Sequence, residues 1–380
     1  MPDGRVIVND LTWRQLRLFE RDLKKSTVLA DNTAATGRAY GGQWASLLAY
    51  RGDSSLFIDL QSVSMTVLAP DGDVARVMAI PRPNEALFLV GGPFGTPYFD
   101  ARGYLVHRGP PVRKSAPPTP PSGGAPSLPT WADSVAIYRT SLATKHVDTV
   151  AWIRVPTHTS SRLQDPQGRP IGLRVVANPI PIVDVWAAMP NGQVAIVRGA
   201  DLHIDWIAPT GQRVATRKLP FPWQRLDDDA KQRLADSAKK AFAKRGEASR
   251  DAYLANPGID PAMSDALMRP LGMLTNRGSG RQGMEFIPSV LAAPPLQELP
   301  DYRPAFELGA ALPDAEGNLW LRTTMPTDKG AICYVINAKG ELIDRVQLPF
   351  GRVISGFGKG VVYMGVLDDK GARLEVAPVR

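Results

Sequence analysis

The chain of 380 residues has one cysteine and four histidines. A single cysteine excludes an intramolecular disulfide. Cys333 lies in the apolar run 331–336, where a thiol is expected to be buried and inert. His107, His146, His158 and His203 stand at unrelated positions, so the sequence shows no spaced set of zinc ligands. No apolar stretch approaches the ~20 residues of a membrane-spanning helix. The first ten residues lack the basic start and apolar core of an export signal. No Gly-x-Ser-x-Gly elbow and no His-Glu-x-x-His pair is present. The formal charge of +8 comes from dispersed arginines, with no basic stretch interleaved with aromatics. That pattern is a mildly basic surface, and no nucleic-acid partner is expected.

Turn signals are abundant. The chain carries 34 glycines and 35 prolines. Asp3-Gly4, Asp71-Gly72, Asn191-Gly192 and Gly317-Asn318 each stand beside a β-rich run. Asp-Gly and Asn-Gly between apolar runs mark hairpins, because glycine reaches positive φ without steric cost. Units of this kind recur at 3–31, 52–81, 98–155, 182–220, 305–349 and 352–379. Asp53 follows Asp3 by 50 residues, and Asp100 follows Asp53 by 47. Blades of a β-propeller take about 40–50 residues each. No such unit buries its own apolar face, so copies must stack. The expected architecture is all-β: a single six-bladed β-propeller over 1–380.

Two insertions interrupt the repeat. Residues 109–130 hold Pro110-Pro111, Pro117-Pro118 and Pro120-Pro121, expected to form a solvated loop. Residues 223–300, between the fourth and fifth blades, are the clearly helical region. Leu226 followed by Asp227, Asp228 and Asp229 reads as a helix start. Leu234, Ala238, Ala241 and Phe242 form an apolar stripe, and Lys244-Arg245-Gly246 reads as the stop. A second helix is expected from Asp260-Pro261. The helices are expected either to cover a central pocket as a lid or to decorate a blade edge. Gly278, Gly280 and Gly283 match the dinucleotide glycine spacing, but no helix follows, so a loop is expected. Ser237 and Lys240 have Ser-x-x-Lys spacing without the partner motifs of an acylase.

Propellers direct residues from several blades into one axial mouth, so a site needs no linear motif. Asp184, Arg198, Glu307 and Arg322 are the candidate ligand-binding residues. Arg198 and Arg322 follow equivalent phrases of the fourth and fifth units and suit an anionic group. Asp100 and Asp314 are expected to accept backbone hydrogen bonds within their turns. No catalytic residue and no metal ligand is assigned.

The phrases Leu56-Phe57-Ile58-Asp59, Phe99-Asp100-Ala101-Arg102-Gly103, Val185-Trp186 with Asn191-Gly192, Gly317-Asn318-Leu319-Trp320, Leu348-Pro349 and Gly356-Phe357-Gly358 carry a resemblance. With them the chain resembles the large, mostly uncharacterised bacterial family of six-bladed β-propellers related to NHL-repeat proteins. The resemblance implies a scaffold and no particular reaction. Such proteins generally begin with an export signal and an earlier stretch of propeller. An extracytoplasmic location is therefore expected if this start is truncated. The first unit reads as short of an inner strand, and pairing between the chain ends is expected to close the ring.

The expected role is non-catalytic binding of a small polar ligand or a protein segment at the axial mouth. The alternative is a metal-dependent hydrolase or lyase with calcium in the central channel. A third reading is contact with an anionic membrane surface through the basic helix end at 239–245.

Overall fold

The computed structural model describes the chain except for positions 2, 34–38, 43, 101, 115–129, 169, 256–288, 369–370 and 380. The expected loop of 109–130 falls largely on omitted positions, as do the second helix and the glycine loop at 278–283.

Six antiparallel meander sheets follow one another along the chain. Sheet 1 holds β1 (Val6–Asp10), β2 (Gln15–Phe19) and β3 (Ser26–Ala30). Sheet 2 holds β4 (Ala45–Ala49), β5 (Ser55–Asp59), β6 (Ser64–Leu68) and β7 (Val74–Ala79). Sheet 3 holds β8 (Tyr98–Phe99), β9 (Tyr104–Arg108), β10 (Ser134–Ser141) and β11 (Val147–Arg154). After β12 (His158–Gln164) and β13 (Pro170–Ala177) comes sheet 4, with β14 (Val185–Ala188), β15 (Val194–Arg198), β16 (His203–Ile207) and β17 (Arg213–Ala215). The helix α1 (Asp228–Ala255) and β18 (Ser289–Ala292) precede sheet 5. That sheet holds β19 (Ala311–Pro313), β20 (Leu319–Arg322), β21 (Gly330–Ile336) and β22 (Leu342–Pro349). Sheet 6 holds β23 (Arg352–Gly358), β24 (Val361–Asp368) and β25 (Gly371–Pro378).

Strand alternation explains why these sheets stack. Successive side chains point to opposite faces, so a central strand with no polar face needs cover on both sides. In β20, Leu319 and Leu321 pack towards sheet 4, against Val197 and Ile204. Trp320, between them, packs the other way against Val362 and Met364 of sheet 6. Trp186 and Ile196 of sheet 4 meet Val106 and Ile137 of sheet 3. Leu56 and Ile58 of sheet 2 meet Phe99 and Leu105 of sheet 3. Leu16 and Leu18 of sheet 1 meet Phe57 and Leu68 of sheet 2. The leading strands also neighbour one another, β4 beside β8 and β14 beside β19. Meanders stacked face to face with adjacent leading strands form a β-propeller. The fold is all-β in its sheets, as the repeats imply.

Three features depart from the sequence expectations. First, α1 runs to Ala255, so Gly246 does not end it. One glycine costs a helix interior only about 1 kcal/mol, which a long helix absorbs. The basic segment 239–245 is therefore mid-helix and not a helix end. Second, β12 and β13 form a hairpin that the repeat pattern did not contain, and β18 pairs in parallel with β13. Third, no strand pairing joins the chain ends among the described residues. Within the sheets β1 pairs with β2 and β25 with β24, leaving sheets 1 and 6 three-stranded. The helix start at Asp227 is as expected: its Oδ1 accepts the Ala230 N–H at 2.8 Å. Among the described residues no helix is long and apolar enough to cross a membrane.

The turn between β19 and β20 shows how a blade phrase is held. Asp314 is 2% exposed. Its Oδ1 accepts the Glu316 and Asn318 N–H groups at 3.0 and 2.7 Å. Its Oδ2 accepts Asn318 Nδ2 at 2.9 Å and Trp320 Nε1 at 3.0 Å. Asp100 likewise accepts the Arg102 and Tyr104 N–H groups, both at 3.0 Å. Asp314→Ala strips four donors of their acceptor, one of them on a buried indole. We expect it to lower stability by about 2–4 kcal/mol in urea denaturation, with Asp314→Asn recovering part of the loss.

Candidate functional site

A strap of residues 83–97 leaves β7, runs through 3-10 turns at Pro83–Leu89 and Gly92–Phe94, and enters β8. Its glycine- and proline-rich end, 91–97, bends sharply. It bridges leading strands of separate sheets. Ser46 of β4 donates to the Leu89 carbonyl at 2.6 Å. Trp186 Nε1 of β14 donates to the Phe94 carbonyl at 2.9 Å. Gly309, just before β19, lies against the Gly92 carbonyl, where a Cβ would collide. Gly95, at φ +84°, lies against the Trp186 indole in the same way. The strap thus reaches from sheet 2 to sheets 4 and 5 across the middle of the fold.

A cavity of about 300 Å³ lies between the strap and sheets 5 and 6. Gly92 and Thr96 of the strap, the segment Leu308-Gly309-Ala310, and Trp320, Leu348 and Ile354 form most of its wall. Its charged wall residues are Arg322 and Arg352, and no carboxylate lines it among the described residues. Arg352 is occupied by Glu375, with Nε to Oε2 at 2.8 Å and Nη2 to Oε1 at 3.4 Å. Arg322 is exposed, and no hydrogen bond or ion pair is described for its guanidinium. Cys333 also lines the cavity, and burial pushes its thiol up to about 11 against the opposing pull of Arg322. A thiol with that pKa is protonated at neutral pH and is not a nucleophile.

The structure separates the four candidate residues. Asp184 and Arg198 form an ion pair at 2.8 Å. Asp184 Oδ2 also accepts the Arg154 N–H at 2.9 Å, and Oδ1 accepts the Gly199 N–H at 3.1 Å. Arg198 Nε donates to Asp205 Oδ2 at 2.6 Å, and Arg213 Nη2 donates to the same oxygen at 2.6 Å. Burial is the largest influence on Asp205 and pushes it up. The Arg198 and Arg213 hydrogen bonds outweigh it and hold the carboxyl below its ordinary range. Arg198 is therefore engaged within sheet 4. Glu307 is exposed and adjoins the cavity-lining Leu308. Arg322 lines the cavity itself.

Two residues had no sequence signal. Arg108, at the end of β9, is 6% exposed and packs against the rings of Phe88 and Phe94, which meet each other edge to face. His107 is 3% exposed, with Nδ1 at 3.0 Å from the Arg108 carbonyl and Nε2 at 3.0 Å from Thr140 Oγ1. A carbonyl only accepts, so Nδ1 carries the proton and Nε2 accepts from Thr140. Ser237 on α1 is exposed. Among the described residues no group of three or more His, Cys, Asp or Glu side chains is placed to hold a metal.

No protein-family model and no curated protein matches this chain. Among solved structures it is similar to a streptogramin B lyase, at 10% identity over all of this chain and 81% of that one, with a TM-score of 0.37. It is similar to a gluconolactonase from Xanthomonas campestris, at 12% identity over 99% of this chain and 83% of that one, with a TM-score of 0.41. It is similar to the calcium-binding protein regucalcin from Agrobacterium tumefaciens, at 10% identity over 99% and 87%, with a TM-score of 0.31. At such scores none of these supports a statement about activity; the propeller class rests on the sheet topology above.

Burial lowers the His107 pKa from 6.5 to about 4, since the imidazolium would lose its hydration. The unfolded chain binds a proton in that interval and the folded chain does not. Stability is thus full above pH 6.5 and is lost as pH falls towards 4. The shift corresponds to about 3 kcal/mol. Thermal melting across pH 4–8 should show this acid loss, and His107→Gln should flatten that component.

Proposed function

We propose that the chain is a single six-bladed propeller, with insertions at 109–130 and 223–300, that binds a small anionic molecule without transforming it. Six meander sheets in chain order support the blade count, and α1, between sheets 4 and 5, supports the second insertion. The observation carrying the binding role is the 300 Å³ cavity, with one arginine, Arg322, left free on a wall that has no carboxylate among the described residues. In this reading Arg322 anchors a carboxylate or phosphate, whose two oxygens match the guanidinium fork. Trp320 and Leu348 cover the apolar body of the ligand. Glu307 flanks the mouth and turns away a second anion. Asp184 and Arg198 hold the strand ends of sheet 4 in place. The alternative of a calcium-dependent hydrolase or lyase finds no donor cluster among the described residues.

Citrate, phosphate and glucuronate are suitable probes, titrated by calorimetry at constant ionic strength. At least one should bind, and Arg322→Gln should weaken it about tenfold or more, the loss of ~1.4 kcal/mol expected for one charge-assisted contact. Binding unaffected by Arg322→Gln would remove the proposed anchor. Calcium-dependent turnover of a lactone would favour the enzyme instead.

A further inference from the structure

Sheets 5 and 6 are out of step. Elsewhere leading strands lie side by side, β1 beside β4, β4 beside β8 and β14 beside β19. The apolar cluster between sheets 5 and 6 draws on β20, β21 and β22 of sheet 5 and has no member from β19. Phe357 of β23, the leading strand of sheet 6, packs on Trp320 of β20 with ring centres 5.1 Å apart. β23 thus lies over the second strand of sheet 5 and not over its first. Leu312 of β19 is the register partner of Trp320, so the two share a face. Where a strand of sheet 6 would cover Leu312, there is instead the cavity of about 300 Å³.

One wall of that cavity is β23 itself, through the consecutive residues Arg352, Val353 and Ile354. β23 pairs with β24 along one edge. Among the described residues, no backbone hydrogen bond is described for its other edge. A row of open N–H and C=O groups beside an apolar slot is a template for a further strand. The facing wall has the matching period. Trp320 and Arg322 stand two residues apart on β20 and both line the slot. The lining cations are Arg322 and Arg352, and no carboxylate lines the slot among the described residues.

We propose that the slot receives a short acidic peptide in extended conformation, which adds to the free edge of β23 as a first strand of sheet 6. This rests on the reading of Arg322 as an anion anchor, and it names the carrier of the anion as an Asp or Glu side chain of that peptide. The peptide backbone pairs with β23. Its side chains alternate, so those turned towards sheet 5 fall two residues apart. One is the acid, which meets the Arg322 fork. The next on that face is apolar and covers Trp320 and Leu312. The addition gives sheet 6 four strands, the number in sheets 2 to 5. A free phosphate or citrate would meet the arginine but leave the β23 edge unpaired.

The test is a selection of phage-displayed random heptapeptides on the full chain. Enriched peptides should carry Asp or Glu with an apolar residue two positions away. A synthetic copy of the most enriched peptide should bind in calorimetry and slow amide exchange in β23. Arg322→Gln, at an exposed side chain, should weaken it about tenfold or more. Methylating alternate backbone nitrogens of the peptide should abolish binding in one register and spare it in the other, because only one edge of the added strand faces β23. No enrichment of acidic peptides, or binding that neither methylated register weakens, would overturn the proposal. If citrate binds through Arg322 and no such peptide does, the anchor stands and the added strand falls. If neither binds, both fall.

Discussion

The structure depends on covering both faces of each meander. The central strands of the middle sheets carry apolar side chains on both faces, so each of those sheets needs a neighbour on either side. Trp320 shows the constraint at one residue. Its ring packs against sheet 6, while Leu319 and Leu321 on either side pack against sheet 4. Its indole N–H is meanwhile returned to Asp314 in its own turn. Burying a large aromatic while satisfying its one polar atom locally lets the other face remain wholly apolar. The same arrangement holds at Trp186, except that its N–H reaches the Phe94 carbonyl on the strap. That difference joins the stack to the segment crossing its centre.

The charged groups sort into two kinds. Asp184, Arg198, Asp205 and Arg213 form a closed chain of ion pairs within sheet 4 and its flanks. Such a network leaves no group free for a ligand. Arg322 and Arg108, for which no carboxylate partner is found among the described residues, each line a cavity beside the strap. Arg322 is open to solvent, where hydration keeps an unpaired cation cheap. Arg108 is buried, where an unpaired cation is costly.

Much of the scaffold was legible because it is local. The Asp-Gly and Asn-Gly turns, the alternation of Leu16 and Leu18, and the acidic start of α1 at Asp227 all act within a few residues. The unseen parts are non-local. His158–Gln164 is polar enough to pass for a loop, and becomes β12 only by pairing with β13. Gly246 looked like a stop because propensity was read without the length of the helix around it. Arg108 looked like any arginine at a strand end; its burial comes from Phe88 and Phe94, about 20 and 14 residues earlier in the chain. Arg198 and Arg322 read alike in the sequence; what distinguishes them is that Asp205 and Asp184 reach Arg198 through strand register, which no local pattern shows.

Native-state hydrogen exchange tests the mutual dependence of the sheets most directly. If each sheet exists by lying between its neighbours, the central strands β5, β9, β15 and β20 must open together. Their slowest amides should exchange at a common free energy that falls in parallel as denaturant is added. Exchange of one sheet at its own lower free energy, with the others still fully protected, would contradict the account.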